Sequence, residues 1–586
     1  MGRVDMDGAA GVSLAARICD ALRGRGDATA ARWKRYGIWQ TASGHELATR
    51  IETIGRGLRA QGLRDGEVAA VLGDNGLEWV LADLGIVAAG GVSAAIDPHL
   101  DADGIVTQLV DSGARVLFVA GDRHLQRVRR LRARCPALER TVVMHEQWYD
   151  GGDDAGIVTL ADLEAGAASE VALPPGRADA PAIVVFSSGV TGPARGAVLS
   201  QRAAVAQARR AAGLLGLRAD DERLVLTPLH HVMERVAGVQ AALLAGTIVN
   251  FPESAETALL DLAELQPTVV QMSPRAWGRL RSLIELNLAE TTRLQRWAFR
   301  KATGLGERAR AQGAGWVRFL ARVADRLVLG RVRERIGLGR ARLCIAAGAP
   351  PRATTLEWFA AIDRPLADLY GMAEAGGAVR LAGPGAGASL AEGIEIRLAD
   401  DGEVWIRGDA LFSAYVGAPT SAVGGDDWWP TGDIAREEAG ALRIVGRRSD
   451  LLPGADAPRA PFEAERMLVA SPYVADAFLA MDSAGGIVAR VLLDQDPVVK
   501  FAQQRSIPFT HFRSLCAAPG VRALVEELVA QVNAAIPSLR IERFSLIERP
   551  LGLGDPEVTP TLMLRRRLLQ EDDHSGRADS TVTDPS

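Results

Sequence analysis

Between residues 31 and 390, short runs of Val, Ile, Leu and Ala alternate with longer stretches in which apolar residues return at helical spacing. Val68–Leu72 reads as a strand, 77–89 as a helix and 116–120 as the next strand, a rhythm that predicts an α/β domain of layered, largely parallel sheets. At 403–406 and 442–445 the runs are short, alternate in polarity and are separated by Gly and Asp, which predicts antiparallel hairpins. Residues 447–461 (RRSDLLPGADAPRAP) are rich in Pro, Gly, Ala and charge without any period and suit a hinge or linker. Beyond it, an apolar run at 491–493 and a helix at about 521–536 predict a smaller α+β unit, and residues 571–586 have so little apolar content that a disordered tail is expected. The expected fold is a large α/β N-terminal domain (1–446), built of layered sheets plus a β-rich subdomain, joined by a linker (447–461) to a small, mobile α+β C-terminal domain (462–570). The sequence shows no internal repeats.

The chain has 586 residues, 48% hydrophobic and 24% charged, with a net charge of −5. These values exclude a disordered or collagen-like chain. Four cysteines lie far apart with no Cys-x-x-Cys or Cys/His pattern, so neither a disulfide framework nor a structural zinc site is indicated and a reducing compartment fits. Charge sits where a signal peptide would place its apolar core, and the longest weakly polar stretch, 236–251, is too short to span a bilayer. The expected setting is cytoplasmic, and no nucleic-acid partner is indicated.

Two skews change this picture. Of 67 basic residues only Lys34, Lys301 and Lys500 are lysine, so chemistry that needs a lysine has three candidates. Residues 291–340 hold thirteen Lys or Arg against three acids, leaving about −15 on the remainder. Within that segment Trp316, Phe319, Leu320, Val323 and Leu327 recur at helical spacing, while Arg318, Arg322 and Arg326 repeat every four residues on another face. Such a helix can lie on an anionic membrane surface. A surface helix that buries its apolar stripe in the core fits the same pattern and is the reading we expect.

The most informative chemistry lies at 186–200 (FSSGVTGPARGAVLS), after a strand-like run. Gly189, Gly192 and Gly196 let backbone approach a ligand, Ser187, Ser188 and Thr191 offer hydroxyls, and Arg195 adds positive charge. This is the composition of a phosphate-cradling loop. It lacks the Gly-Lys-Ser/Thr of a Walker A loop, and a glycine-rich turn alone is often only a turn.

The loop resembles the signature Thr-Ser-Gly-Thr-Thr-Gly-x-Pro-Lys-Gly of the AMP-forming adenylating enzymes, which include acyl-CoA synthetases, luciferases and adenylation domains. Further stretches resemble motifs of that family's long-chain acyl-CoA synthetase branch in the same order: GIW (37–39), NGLEW (75–79), TPLHHVMER (227–235), QPT (266–268), SPRAW (273–277), AGAP (347–350), YGMAE (370–374), WPTGD (429–433), VGR (445–447) and VTPTLMLRR (558–566). The resemblance covers nearly the whole chain. It implies activation of a long-chain fatty acid by ATP to an acyl-adenylate, then transfer to coenzyme A. By resemblance, the 187–196 loop holds phosphates, Tyr370 and Gly371 with Gly348, Ala349 and Pro350 form the adenine site, and Asp433 takes the ribose hydroxyls. Arg447 would contact ribose or phosphate, Glu374 would bind Mg²⁺, His231 would sit between the acyl tunnel and the reacting carbonyl, and Asp450 would be the hinge. Taken singly, these residues have plainer readings. Tyr370 could be a core aromatic, Asp433 a turn residue and Glu374 a helix-start carboxylate. The stretch His99-Leu-Asp-Ala-Asp103 has acyltransferase spacing but reads as a helix cap.

The chain also departs from the pattern. Val190, Ala194 and Arg195 replace a threonine, a proline and a lysine of the loop, Gln201 replaces a histidine, and Ala373 replaces a threonine. Met563 stands where the family carries its C-terminal catalytic lysine. A drift from lysine to arginine accounts for Arg195 but not for a methionine, which carries no charge and donates no hydrogen bond. Losing a positioned donor of this kind costs on the order of 10²–10³ in rate. The departures leave a second reading open, that of a non-enzymatic member binding nucleotide or acyl-CoA as a sensor or partner protein.

Overall fold

The computed structural model describes residues 13–586 except 146–148, 150–155, 188–193, 313–314, 384–386, 419–426, 439–440, 455–458, 483–484, 552–554, 556, 559–563, 572–579 and 582–586. In the first of two large sheets, Val68–Leu72 runs parallel between Val92–Ile96 and Val116–Val119, and Pro181–Phe186 continues the sheet beside Val92–Ile96. Every residue of Val92–Ile96 is buried, which is why these strands read as unbroken apolar runs rather than alternating ones. The second sheet has Leu343–Ala347 parallel between Val269–Met272 and Leu366–Met372, with Gly377–Ala382 added antiparallel.

Between the two sheets the helices Leu14–Arg25, Gly44–Ala60, Leu77–Ala88 and Gln201–Leu214 share one core with strand residues of both. Leu77–Ala88 is buried on nearly every side, as a helix that is apolar all round must be. Its one interior charge, Asp83, is matched by Arg235. The departure at Gln201 has a structural use, since its side-chain carbonyl accepts the Leu14 N–H at 2.8 Å and ties down the first helix. Asp101 caps the helix Ala102–Ser112 by accepting the Gly104 N–H.

The β-rich subdomain is a four-stranded antiparallel sheet, Ile394–Leu398, Glu403–Gly408, Trp429–Glu438 and Ala441–Arg447. The C-terminal unit places Val474–Met481, Ile487–Leu493 and Ile541–Leu546 in one sheet over a separate core that includes the helix Pro519–Ala535. The tail expected to be disordered contributes Ser580–Thr581, paired antiparallel with Phe544 and Arg543. All four cysteines are free and buried. No helix among the described residues is long and apolar enough to cross a membrane.

The helix Gly315–Ala324 corrects an expectation. Its large apolar residues Trp316, Phe319, Leu320 and Val323 are exposed, as is Leu327 just beyond it, whereas the smaller Val317 faces inward. Apolar residues sit on two faces here, and the smaller ones pack against the domain.

Candidate adenylate site

The glycine-rich loop is the connection of an antiparallel hairpin, Pro181–Phe186 and Gly196–Ser200. Its base is closed twice, by the Ser187 N–H donating to the Arg195 carbonyl at 2.9 Å and by the Arg195 N–H donating to Ser187 Oγ at 3.0 Å. Ser188, Gly189, Thr191 and Gly192 lie outside the described residues. Gly196 is needed for packing, because a Cβ there would come within 2.9 Å of both Val184 and Val416.

Arg195 leaves the loop base and lies over the ring of Tyr415, 5.3 Å from its centroid. Tyr415 donates from its hydroxyl to Glu374 Oε1 at 2.7 Å. Burial, then the neighbouring Glu374 charge, hold the Tyr415 hydroxyl well above its usual range, so it remains a donor. Glu374 occupies the turn joining Leu366–Met372 to Gly377–Ala382, not a helix start, and its carbonyl accepts the Phe412 N–H at 2.8 Å. Tyr415 carries no periodic signal, since it ends the two-residue strand Ala414–Tyr415 beside Val198 and Ala197.

The same turn-bearing strand carries Tyr370. Its hydroxyl donates to Asp433 Oδ2 at 2.8 Å, and Arg447 Nε lies 3.2 Å from Asp433 Oδ1. Asp433 and Arg447 face each other across an antiparallel pair, so strand register alone brings them together. Burial raises the Asp433 carboxyl, opposed by the Arg447 charge, and Glu374 is close enough to raise it further. Burial, followed by the Asp433 charge, keeps the Tyr370 hydroxyl protonated. Gly371 permits a close strand crossing, because a Cβ would fall 1.9 Å from the Gly377 carbonyl oxygen. Gly348, at φ +96°, turns the chain out of Leu343–Ala347, with Ala349 and Pro350 following at the partly open strand end.

The 227–235 segment divides between two tasks. Asn75 clips its start, donating to the Thr227 carbonyl and accepting the Leu229 N–H. Glu234 pairs with buried Arg223, while Arg235 bonds Asp83, Val184 and Ser93. His230 and His231 instead line a small cavity with Asp97, Phe186, Ser187, Ala194 and, from the C-terminal unit, Arg565. Burial, then the nearby His230, lower His231 to about 4, so its imidazole is neutral at pH 7. Its Nδ1 accepts the Met233 N–H at 3.3 Å, which assigns the ring proton to Nε2. Asp97 stays ionised in this cavity, because although burial would raise it, His230 and His99 outweigh that effect.

Met563 lies outside the described residues, but its flanks are held by an antiparallel bridge of Val558 with Leu564. Of the neighbouring arginines, Arg566 is committed to Glu465, with two contacts of 2.8 Å, and lies 3.5 Å from the expected hinge residue Asp450. Arg565 lines the cavity. Arg352, just beyond Pro350, bonds the Val474 and Ala475 carbonyls of the C-terminal unit.

A sequence profile for AMP-binding enzymes matches residues 19–416. The chain belongs to the AMP-binding enzyme family. Among curated AMP-binding relatives, it is 28% identical over 556 residues to the long-chain-fatty-acid–CoA ligase FadD15 of Mycobacterium tuberculosis, covering 91% of each chain. It is 24% identical to the human long-chain-fatty-acid–CoA ligase ACSBG1, over 94% of this chain and 83% of that one. Solved structures share the fold of this AMP-binding enzyme. The anthranilate CoA ligase AuaEII in complex with anthranoyl-AMP superposes with a TM-score of 0.73 at 19% identity, over 96% of this chain and 98% of that one. The A domain of carboxylic acid reductase from Segniliparus rugosus, in complex with AMP and a co-purified carboxylic acid, gives 0.72 at 18% identity, over 96% and 93%.

Proposed function

We propose that the chain activates a long-chain fatty acid with ATP, forming an acyl-adenylate and then an acyl thioester of coenzyme A. The observation that carries this reading is the convergence of Tyr370, Asp433 and Arg447 with Glu374, Tyr415 and Arg195 beside the loop at 187–195. The names of relatives aligned over most of the chain point the same way. The non-enzymatic reading gains no such support.

In the first step a carboxylate oxygen bonds to the α-phosphorus and the bond to pyrophosphate breaks, its electron pair leaving with pyrophosphate. In the second a thiolate attacks the acyl carbon and AMP departs. Tyr370 and the strand end at Gly348, Ala349 and Pro350 would bound the adenine. Asp433 already accepts from Tyr370 and faces Arg447, and each carboxylate oxygen has a second lone pair for a ribose hydroxyl. His231, neutral and protonated on Nε2, offers a hydrogen-bond donor to the acid in its cavity without adding charge.

Magnesium fits Glu374 by the chemistry of its donor set. Among the described residues no three His, Cys, Asp or Glu side chains gather as a metal cage, and magnesium is commonly held by one or two carboxylates with substrate phosphates filling the remaining positions. Bound there, it would neutralise phosphate charge.

We infer that Arg565 supplies the cation that Met563 cannot. It lines the cavity with Ser187 and His231. We also infer peripheral contact with an anionic membrane, where a long acyl chain partitions. The test is fatty-acid-dependent exchange of labelled pyrophosphate into ATP. The natural protein is expected to exchange, and Arg565→Gln to lose on the order of 10²–10³ in rate while still forming thioester from supplied acyl-adenylate. Met563→Lys should restore exchange to Arg565→Gln. No exchange by the natural protein with ATP still bound would overturn the ligase reading, and an unaffected Arg565→Gln would overturn the role of Arg565.

A further inference from the structure

The helices Arg293–Gln312 and Gly315–Ala324 expose an unusual share of large apolar surface. Trp297 is 54% exposed, Trp316 69%, Phe319 63% and, one turn past the second helix, Leu327 58%. These residues are not a core awaiting its lid. The same segment seats on the domain through Ala302, Val317 and Leu329, and Ala302 and Leu329 join a buried cluster with Trp277 and Phe359. Elsewhere among the described residues the exposed large apolar side chains, such as Tyr36, Val110, Leu260 and Leu398, are scattered along the chain. Scattered exposure is ordinary, whereas a concentration of exposed aromatic and aliphatic side chains on two helices packed against each other marks an interaction surface.

Charge identifies the partner. Arg293, Arg300, Lys301, Arg318, Arg322 and Arg326 are exposed on the same two helices and the turn that follows. Of the acids on these helices and that turn, Glu307 is exposed and Asp325 is taken by Arg333 at 2.5 and 2.7 Å, which leaves a cationic excess. A second copy docking stripe to stripe would bring two such cationic patches together, because a two-fold interface repeats the same surface on both sides. An anionic bilayer meets both requirements, accepting the aromatic and aliphatic side chains at its headgroup boundary and the guanidinium groups at its phosphates. We propose that the Trp297, Trp316, Phe319 and Leu327 face, with its flanking arginines, is the surface by which this protein docks on anionic lipid.

The proposal rests on the membrane contact inferred for the fatty-acid reading, yet it is measured without ATP or fatty acid, so failure of either is seen separately.

The experiment is co-sedimentation of the full chain with vesicles of phosphatidylcholine alone or mixed with phosphatidylglycerol, at low and high salt. Binding is expected only to the mixed vesicles, and salt should weaken it because surface charge is screened. Trp316→Ser with Phe319→Ser should reduce binding about tenfold or more, as should Arg318→Gln with Arg322→Gln. Both pairs lie on exposed positions, and far-ultraviolet circular dichroism and the unfolding midpoint should be unchanged in them, which reports that the fold is intact. Equal binding to neutral and mixed vesicles, no binding to either, or a self-association abolished by the same substitutions would each overturn the proposal.

Discussion

Arg235 and Arg447 both belong to short motifs that resemble those of adenylating enzymes, yet they are used in opposite ways. Arg235 is fully buried, and its Nε, Nη1 and Nη2 are spent on Asp83, the Val184 carbonyl and Ser93, with its guanidinium 5.6 Å from the Trp79 ring centroid. It ties the central helix Leu77–Ala88 to two strands of the first sheet. The Arg447 side chain is 39% exposed and pairs with Asp433 at 3.2 Å. One arginine joins layers, and the other is partly exposed, as the ligand contact proposed for it requires. A motif therefore does not label a residue as ligand-binding, and the saturation of its donors by the protein separates the two uses.

The largest effect that sharpens this contrast is on stability. Arg235→Met leaves the Asp83 carboxylate buried with only Gln240 Nε2 beside it, at 3.1 Å, and breaking a buried pair from one side costs about 3–5 kcal/mol. Denaturant unfolding followed by circular dichroism should show that loss. Adding Asp83→Leu should recover part of it, because the stranded charge is then gone. Arg447→Met should destabilise less than Arg235→Met, because Asp433 keeps the bond from Tyr370 and the Arg447 side chain is partly exposed, while weakening ATP binding. Equal destabilisation by Arg235→Met and Arg447→Met would break the comparison.

A second effect lies in the same 227–235 segment and depends on pH. His231 is held at about 4 when folded against 6.5 when unfolded. The unfolded chain therefore takes up a proton first as pH falls. The stability that His231 contributes is fully present above pH 6.5 and is lost progressively between 6.5 and 4, by up to about 3 kcal/mol. His231→Gln should flatten the slope of stability against pH in that window relative to the natural protein. An unchanged slope would show that the ring is open to water and belongs with the ligand-facing set in energy as well as position.

The layered architecture was legible in the sequence because strands such as Val68–Leu72 and helices such as Leu77–Ala88 carry their burial in their composition. Tyr370, Asp433 and Arg447 could be named from motif order, and the structure finds them in contact. Other parts of the site could not be read in this way. Tyr415 sits on a two-residue strand whose place is fixed only by pairing with Gly196–Ser200. Arg565, with Arg566 and Arg567, could be named as a neighbour of Met563, but that it lines the cavity follows only from the fold. Gly196 and Gly371 also fill close strand contacts that no pattern encodes. The exposed stripe at Trp316 was misjudged because helical periodicity locates an apolar face without saying which of two such faces turns inward.

The smallest predicted effect tests the ligand-facing side of the comparison most closely. Tyr370→Phe keeps the ring that would bound adenine and removes only the hydroxyl that donates to Asp433. If that bond serves to hold Asp433 for the ribose, its loss should cost about 0.5–1.5 kcal/mol in ATP affinity, the usual net worth of one such bond. It should cost nothing for pyrophosphate, which has no ribose. Isothermal titration with each ligand separates the two. Arg447 still faces Asp433 in the variant, so the unfolding midpoint should hardly move. A loss of stability comparable to that of Arg235→Met would instead place Tyr370 among the residues that join layers.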